Sequence, residues 1–112
     1  MTRGILSSCY AQLRPEHLEN DDPARRIREL YEDYYRDHPF VVVTSNPPQT
    51  KQTLGNNQCL VFPVVDSRTG RLIVISCIDN LVKGAAGQAV QNMNLMFGWP
   101  EDLALDSVAV YP

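Results

Sequence analysis

The stretch Asp79-Asn80-Leu81-Val82-Lys83-Gly84-Ala85-Ala86-Gly87-Gln88-Ala89-Val90-Gln91-Asn92 decides how this chain is read. An apolar run, Leu72 to Ile78, leads straight into it, so a strand hands over to a helix. Asp79 stands at the N-cap position, where a carboxylate accepts from the free N–H groups of a first turn. The helix is expected from roughly Asn80 to Phe97, with Gly98-Trp99-Pro100 breaking it. Between Gly84 and Pro100 there is no charged residue. A surface helix carries charge on its outer face, and one without charge is usually buried nearly all round. A chain of 112 residues can hardly enclose a helix on every side, so a partner surface outside it is expected. Two stripes divide the helix. Ala86, Ala89, Val90, Met93 and Phe97 recur at helical spacing and are expected against the domain's own sheet. Gly84, Gly87, Gln91 and Asn94 form a small, uncharged second face, expected to be open to the partner.

Outward from this junction the chain reads as one domain, residues 1–112, of order β-α-β-β-β-α. Ile5, Ser7, Cys9, Ala11 and Leu13 alternate with more polar neighbours between Arg3 and Leu13, a half-buried strand that Arg14-Pro15 ends. Asp22-Pro23 opens a helix with Asp as N-cap and Pro at the first helical position. Ile27, Leu30, Tyr31 and Tyr34 follow at helical spacing, and His38-Pro39 stops it. Phe40 to Val43 is a β-branched strand. Residues 44–56 are polar, with a Pro pair and a Gly, and read as a loop. Cys59 to Val65 and Leu72 to Ile78 form a hairpin across a loop of about five residues, Asp66 to Gly70. The fold class expected is α+β: a mostly antiparallel mixed sheet with helices packed on one face.

Composition removes several function classes. Apolar content of 44% suits a globular core, and a charge of −3 is too mild for an electrostatic binder. Arg25, Arg26 and Arg28 alternate with Glu29, Glu32 and Asp33, a solvated helix face and no nucleic-acid surface. No apolar run approaches the ~20 residues that span a membrane. The opening Met-Thr-Arg-Gly lacks the apolar core of a secretory signal. Three cysteines, Cys9, Cys59 and Cys77, lie in apolar runs without metal-ligand spacing, which points to reduced, buried thiols and a cytoplasmic protein. A chloroplast address preceding Met1 stays open. His17 and His38 read as surface or capping residues. There is no Gly-rich dinucleotide fingerprint.

Residues 78–98, IDNLVKGAAGQAVQNMNLMFG, with TRGILSSCYAQL at 2–13, resemble the C-terminal part of the N-acetyl-gamma-glutamyl-phosphate reductases. These are NADP-dependent enzymes of arginine biosynthesis related to aspartate-semialdehyde dehydrogenase. The closing Ser107-Val108-Ala109-Val110-Tyr111-Pro112 resembles a C-terminus of that family, and the resemblance is weakest over 14–56. At 55–57 the chain has Gly55-Asn56-Asn57 where a Gly-Ser-Asn or Gly-Thr-Asn is more usual.

The resemblance implies a fold and a division of labour. The chain would be the C-terminal substrate and dimerisation domain, inactive alone and homo-oligomeric in the intact enzyme. Reduction of an acyl phosphate needs a thiolate to displace phosphate, a base, and a nicotinamide to deliver hydride. In the family the cysteine and histidine precede the TRGIL segment, and a Rossmann domain binds most of NADP, so this chain would hold no catalytic residue and no metal. Asn80 is the nicotinamide-carboxamide ligand that the resemblance implies, against a bland role as a helix cap. Lys83 and Gly84 follow in the first turn as cofactor-facing residues. Lys83 there opposes the helix dipole, and Gly84 costs helix stability. Arg3 is a candidate for the carboxylate or phosphate of N-acetyl-glutamyl phosphate, since a guanidinium binds either bidentately. Two other classes compete: a free-standing ligand-binding regulatory module, and an interaction domain docking through the uncharged helix.

Overall fold

The computed structural model describes residues 3–18 and 22–109. Thr2 and Val110-Tyr111-Pro112, which belong to two of the resembling segments, lie outside the described residues. Four strands form one mixed sheet in the order β1-β4-β3-β2, with β1 at Ile5–Gln12, β2 at Val41–Val43, β3 at Cys59–Asp66 and β4 at Arg71–Ile78. β4 is antiparallel to both β1 and β3, and β2 runs parallel to β3. The expected α+β class with a mostly antiparallel mixed sheet is therefore present. Pro63 lies beyond the end of β2, where β3 has become an edge and a missing N–H costs no ladder bond.

The hairpin loop is tighter than expected, Ser67 to Gly70, because Asp66 still belongs to β3. Asp66 closes it by accepting from the Arg68 N–H at 3.0 Å and the Thr69 hydroxyl at 2.6 Å. Gly70 takes the left-handed φ of 66° that returns the chain to β4. A one-turn helix α1, Pro15–Leu18, stands where sequence periodicity gave no sign of one. The main helix α2, Pro23–Tyr34, starts as its capping residues require, with the Asp22 carboxylate accepting from the Arg25 N–H at 3.0 Å. The loop after β2 carries a 3-10 turn, Thr50–Thr53.

Strand register divides the sheet into two faces. Cys9, Val74 and Pro63 lie on one, and their neighbours Tyr10, Ile73 and Val64 lie on the other. Helix α2 covers the first face over β3, where Ile27, Val61 and Pro63 are buried. On the second face the 3-10 turn covers one end, with the Thr53 hydroxyl 3.6 Å from the Cys77 sulfur. The rest of that face has no described cover.

Two expectations fail here, both from burial. Cys9 is exposed, as is every residue of β1, because α2 stops short of this edge strand. Cys77 is fully buried and Cys59 half-buried, and burial raises both thiol pKa values. For Cys59, Lys83 partly offsets that rise. A thiol reagent should therefore label Cys9 rapidly in the native chain and Cys59 and Cys77 only in denaturant; rapid native labelling of Cys77 would contradict this packing.

The second correction concerns the last helix. It is not one continuous element from Asn80: a π turn, Val82–Ala86, precedes helix α3, Gly87–Met96. Its two stripes are also reversed. Gly87, Gln91 and Asn94 are buried by this domain, whereas Met93, Met96 and Phe97 are 42%, 84% and 66% exposed, and Ala86 and Ala89 are exposed too. The physical reason is that α3 does not lie on the sheet. It packs beside Asn57 and the segment from Glu101 to Leu103, which offer polar partners to amide side chains. Burial of Gly87, Gln91 and Asn94 by this domain counts against the expected partner on that face, and what α3 leaves exposed is the apolar stripe. Gly98, with φ of 69°, ends α3, and the Trp99 N–H reaches back to the Asn94 carbonyl at 2.9 Å.

Candidate functional site

Asp79 is the centre of the strand-to-helix junction. Its carboxylate is fully buried and receives donors from three separate segments. Leu81 and Val82 N–H groups donate to Oδ1 at 2.8 and 3.1 Å, which is the cap expected from sequence. The Gly55 N–H donates to Oδ2 at 2.7 Å from the loop after β2. Arg3, just ahead of β1, places Nε 3.2 and 3.1 Å from the two oxygens and Nη2 3.0 Å from Oδ2. Burial pulls this carboxyl upward, but the bonds from Gly55, Arg3, Leu81 and Val82 outweigh it and hold the pKa at about 2. The carboxylate thus stays ionised and ties β1, the loop and the helix start at one point.

Asn80 repeats the tie. The Gly4 N–H donates to its Oδ1 at 2.7 Å. A backbone N–H can only donate, so this bond fixes which way the amide faces. Nδ2 is left without a partner among the described residues, and the side chain is half-exposed. Immediately after it the chain widens into the π turn, with Gly84 and Ala86 donating to the Asp79 and Leu81 carbonyls at 2.9 and 3.0 Å. Such single π turns often occur at functional sites. Gly84 is exposed, and a Cβ there would stand 3.3 Å from the Asp79 carbonyl oxygen and 3.5 Å from Ile78 Cδ1. Arg3, Asn80 and Gly84 therefore converge around one junction.

Lys83 goes elsewhere. Its ammonium donates to Gln91 Oε1 at 2.5 Å and lies 5.3 Å from the Phe40 ring centroid. Burial lowers its pKa, opposed by Cys59 and Glu101. Gln91 is the hub of this second cluster: Oε1 also accepts from Asn57 Nδ2 at 3.1 Å, and Nε2 donates to Glu101 at 2.5 Å. Asn94 completes it by donating to the Glu101 and Leu103 carbonyls at 3.2 and 3.0 Å. Because Gln91 Oε1 must accept from two donors, Asn57 has to present Nδ2 to it, and Asn57 Oδ1 is turned toward Gly87. That oxygen is the one buried side-chain acceptor without a partner among the described residues. Its neighbour is the bare Cα of Gly87, a weak C–H donor.

Sequence reasoning reached the first cluster through its cap and missed the second. Gln91 and Asn94 carried a usable signal, since amides on a charge-free helix suit a buried polar seam. Asn57 and Glu101 carried none, because only the tertiary approach of a loop and a tail brings them to α3. Among the described residues no group of His, Cys, Asp and Glu could hold a metal, and no helix is long and apolar enough to cross a membrane.

The sequence is similar along its whole length to part of several longer proteins. It is 54% identical over 112 residues to the N-acetyl-gamma-glutamyl-phosphate reductase of Dehalococcoides mccartyi, covering all of this chain and 31% of that protein. It is 49% identical over 114 residues to the reductase of the same name from Geobacter metallireducens, covering 32% of it, and 51% identical to the one from Synechocystis, covering 31%. The chain thus spans about a third of the length of the curated relatives it matches. Residues 1–80, which hold all four strands and end on Asn80, match the model of the semialdehyde dehydrogenase dimerisation domain. With the mixed sheet and the Asp79–Asn80 junction falling inside that match, this chain belongs to the semialdehyde dehydrogenase dimerisation-domain family.

Proposed function

We propose that this chain is the C-terminal domain of an NADP-dependent, cytoplasmic reductase converting N-acetyl-glutamyl phosphate to N-acetyl-glutamate semialdehyde, and that it positions reactants without supplying the nucleophile. The polypeptide beyond this chain would carry the Rossmann domain, the attacking cysteine and the histidine base, and the assembled enzyme would be a homo-oligomer. The observation that carries the reading is Asn80, clamped by the Gly4 N–H with Nδ2 left to donate at a strand-to-helix junction.

The residues present fit a nicotinamide cofactor in a limited sense. A carboxamide carbonyl needs one fixed donor, which Asn80 Nδ2 supplies, and the exposed Gly84 beside it keeps the approach low. The bound cofactor would supply hydride to a thioester carbon. Arg3 would act on substrate only through what Asp79 leaves of it, the Nη1 edge of a guanidinium that is 38% exposed. Lys83 supports the site from behind, by fastening the π turn to Gln91.

In the longer polypeptide, Asn80→Ala is expected to lower turnover with NADPH on the order of a hundredfold, because a misplaced reactant costs that much for about 1 Å. Folding should be nearly intact, since Asp79 still caps the helix. Full activity combined with a markedly lower melting temperature would make Asn80 structural and remove its cofactor role. The isolated chain should form no NADPH from N-acetyl-glutamate semialdehyde and phosphate; activity above a heat-killed control would defeat the division of labour.

A further inference from the structure

Lys83, Gln91 and Glu101 join the π turn, helix α3 and the segment after it through a seam of charged and amide groups. The Lys83 ammonium and the Glu101 carboxylate stand at opposite ends of one amide: Gln91 Oε1 accepts from Lys83 and Nε2 donates to Glu101, each at 2.5 Å. Asn57 Nδ2 shares the same oxygen at 3.1 Å, and both amide residues are buried. Apolar side chains of similar volume would stabilise such a seam about as well, because buried polar groups lose in desolvation much of what they gain. The seam even leaves Asn57 Oδ1 without a partner among the described residues. What polar groups add is direction. Gln91 has one accepting end and one donating end, so only one rotation of α3 satisfies all three neighbours.

The rotation of α3 is coupled to the π turn. Within that turn the N–H groups of Gly84, Ala86 and Gly87 donate five residues back, to the carbonyls of Asp79, Leu81 and Val82. Relaxation to the tighter α ladder would advance α3 by one residue, a rotation of about 100°. Gln91 would then swing away from Lys83 and Asn57. The segment ahead of β3 opposes the same slip, because Gly55 is bonded to Asp79 and Asn57 to Gln91. Gly84 lies inside the turn, close behind Asn80, so the register of the turn shapes the surface around both. We infer that Gln91, oriented by Glu101, is a positioning residue for the nicotinamide cofactor: it holds Lys83, and with it the π turn, so that Asn80 and Gly84 meet the cofactor in one geometry.

The inference rests on the cofactor-positioning reading above and adds a residue that acts without touching the cofactor. In the 112-residue chain, Gln91→Leu is expected to speed hydrogen exchange at the Gly84, Ala86 and Gly87 amides. The change should be about tenfold or more, the scale of losing a hydrogen bond to a charged group. The Leu81 and Val82 amides, held by Asp79, should keep their protection. In the longer polypeptide the same variant should weaken NADPH binding about tenfold, read by fluorescence titration and as KM, with KM for N-acetyl-glutamyl phosphate within about twofold. Asn80 keeps its bond to Gly4, so kcat should fall by less than about threefold. Gln91→Glu combined with Glu101→Gln reverses the polarity of one bond and keeps them all, so NADPH affinity should return to within about threefold of wild type. With folding followed by circular dichroism, unchanged exchange or unchanged NADPH affinity in folded Gln91→Leu would overturn the inference. Equal losses for both reactants, or a folded double variant without recovery, would do the same. Should Gln91→Leu fail to fold, Lys83→Met breaks the same link while its stem stays on the Phe40 ring, and unchanged exchange or affinity there is equally fatal. The cofactor reading itself fails separately, on Asn80→Ala: a loss of turnover there with no effect of Gln91→Leu would sink the positioning role alone.

Discussion

Asp79→Ala is expected to destabilise the chain by about 3–5 kcal/mol, because several hydrogen bonds to a buried charged acceptor, each of about 1.5–3 kcal/mol and not fully additive, are lost together. The change takes the acceptor from Gly55, Leu81 and Val82 at once and leaves the Arg3 guanidinium without its counter-ion. Three segments far apart in sequence would lose their common anchor. At roughly 4–8 °C per kcal/mol for a domain of this size, the melting temperature should fall by about 15 °C or more. A fall of only a few degrees by calorimetry would mean that solvent takes over these bonds and that Asp79 is no anchor. The acid limb gives a second reading of the same residue. A carboxyl held at about 2, against the usual 3.8, adds stability that is fully present above the unfolded value and is lost as pH falls through the folded one. That contribution, about 2 kcal/mol for a shift of this size, should fade between about pH 5 and pH 2. Asp79→Asn should flatten this limb; an unchanged acid limb would place the titration elsewhere.

Gly87→Ala is expected to destabilise by about 3 kcal/mol, the upper part of the range for overpacking. A Cβ there would run into Asn57 Oδ1 and stand 2.8 Å from both Val82 Cγ1 and the Val82 carbonyl oxygen. One of these obstacles is backbone and another is a fully buried amide locked to Gln91, so neither can yield cheaply. Gly84→Ala is the matched control. Its nearest obstacle is 3.3 Å away and its surroundings are open, so helix propensity and a slight squeeze should nearly cancel, within about 1 kcal/mol. In the isolated chain the two glycines should therefore separate clearly in denaturant midpoints. In the longer polypeptide Gly84→Ala should instead act on cofactor affinity. Equal midpoints for the two variants would show that α3 shifts to accommodate the methyl group.

What the sequence alone determined follows from interactions that are local along the chain. The Asp79 cap, the Asp22-Pro23 helix start, the Gly98 stop and the β3–β4 hairpin each depend on residues within a few positions, and all four formed. The α+β class followed, because alternation and helical spacing are also short-range patterns. The stripe assignment on the last helix was decided otherwise. Periodicity separates an apolar from a polar face, but it cannot say which one the domain buries, and here the assumption that apolar faces inward failed. The polar face went inward because Asn57 and Glu101 arrive from a loop and a tail to satisfy Gln91, and Asn94 finds backbone carbonyls of the same tail. Cys9 was misread for a related reason. An alternating strand looks half-buried, yet its exposure depends on how far α2 extends over the sheet. Arg3 was singled out from the sequence as a candidate for a substrate carboxylate or phosphate, but its bond to Asp79, 76 positions away, exists only in the folded chain. Tertiary structure alone decided which groups meet across such distances, because chain closure brings them together and no local pattern records the meeting.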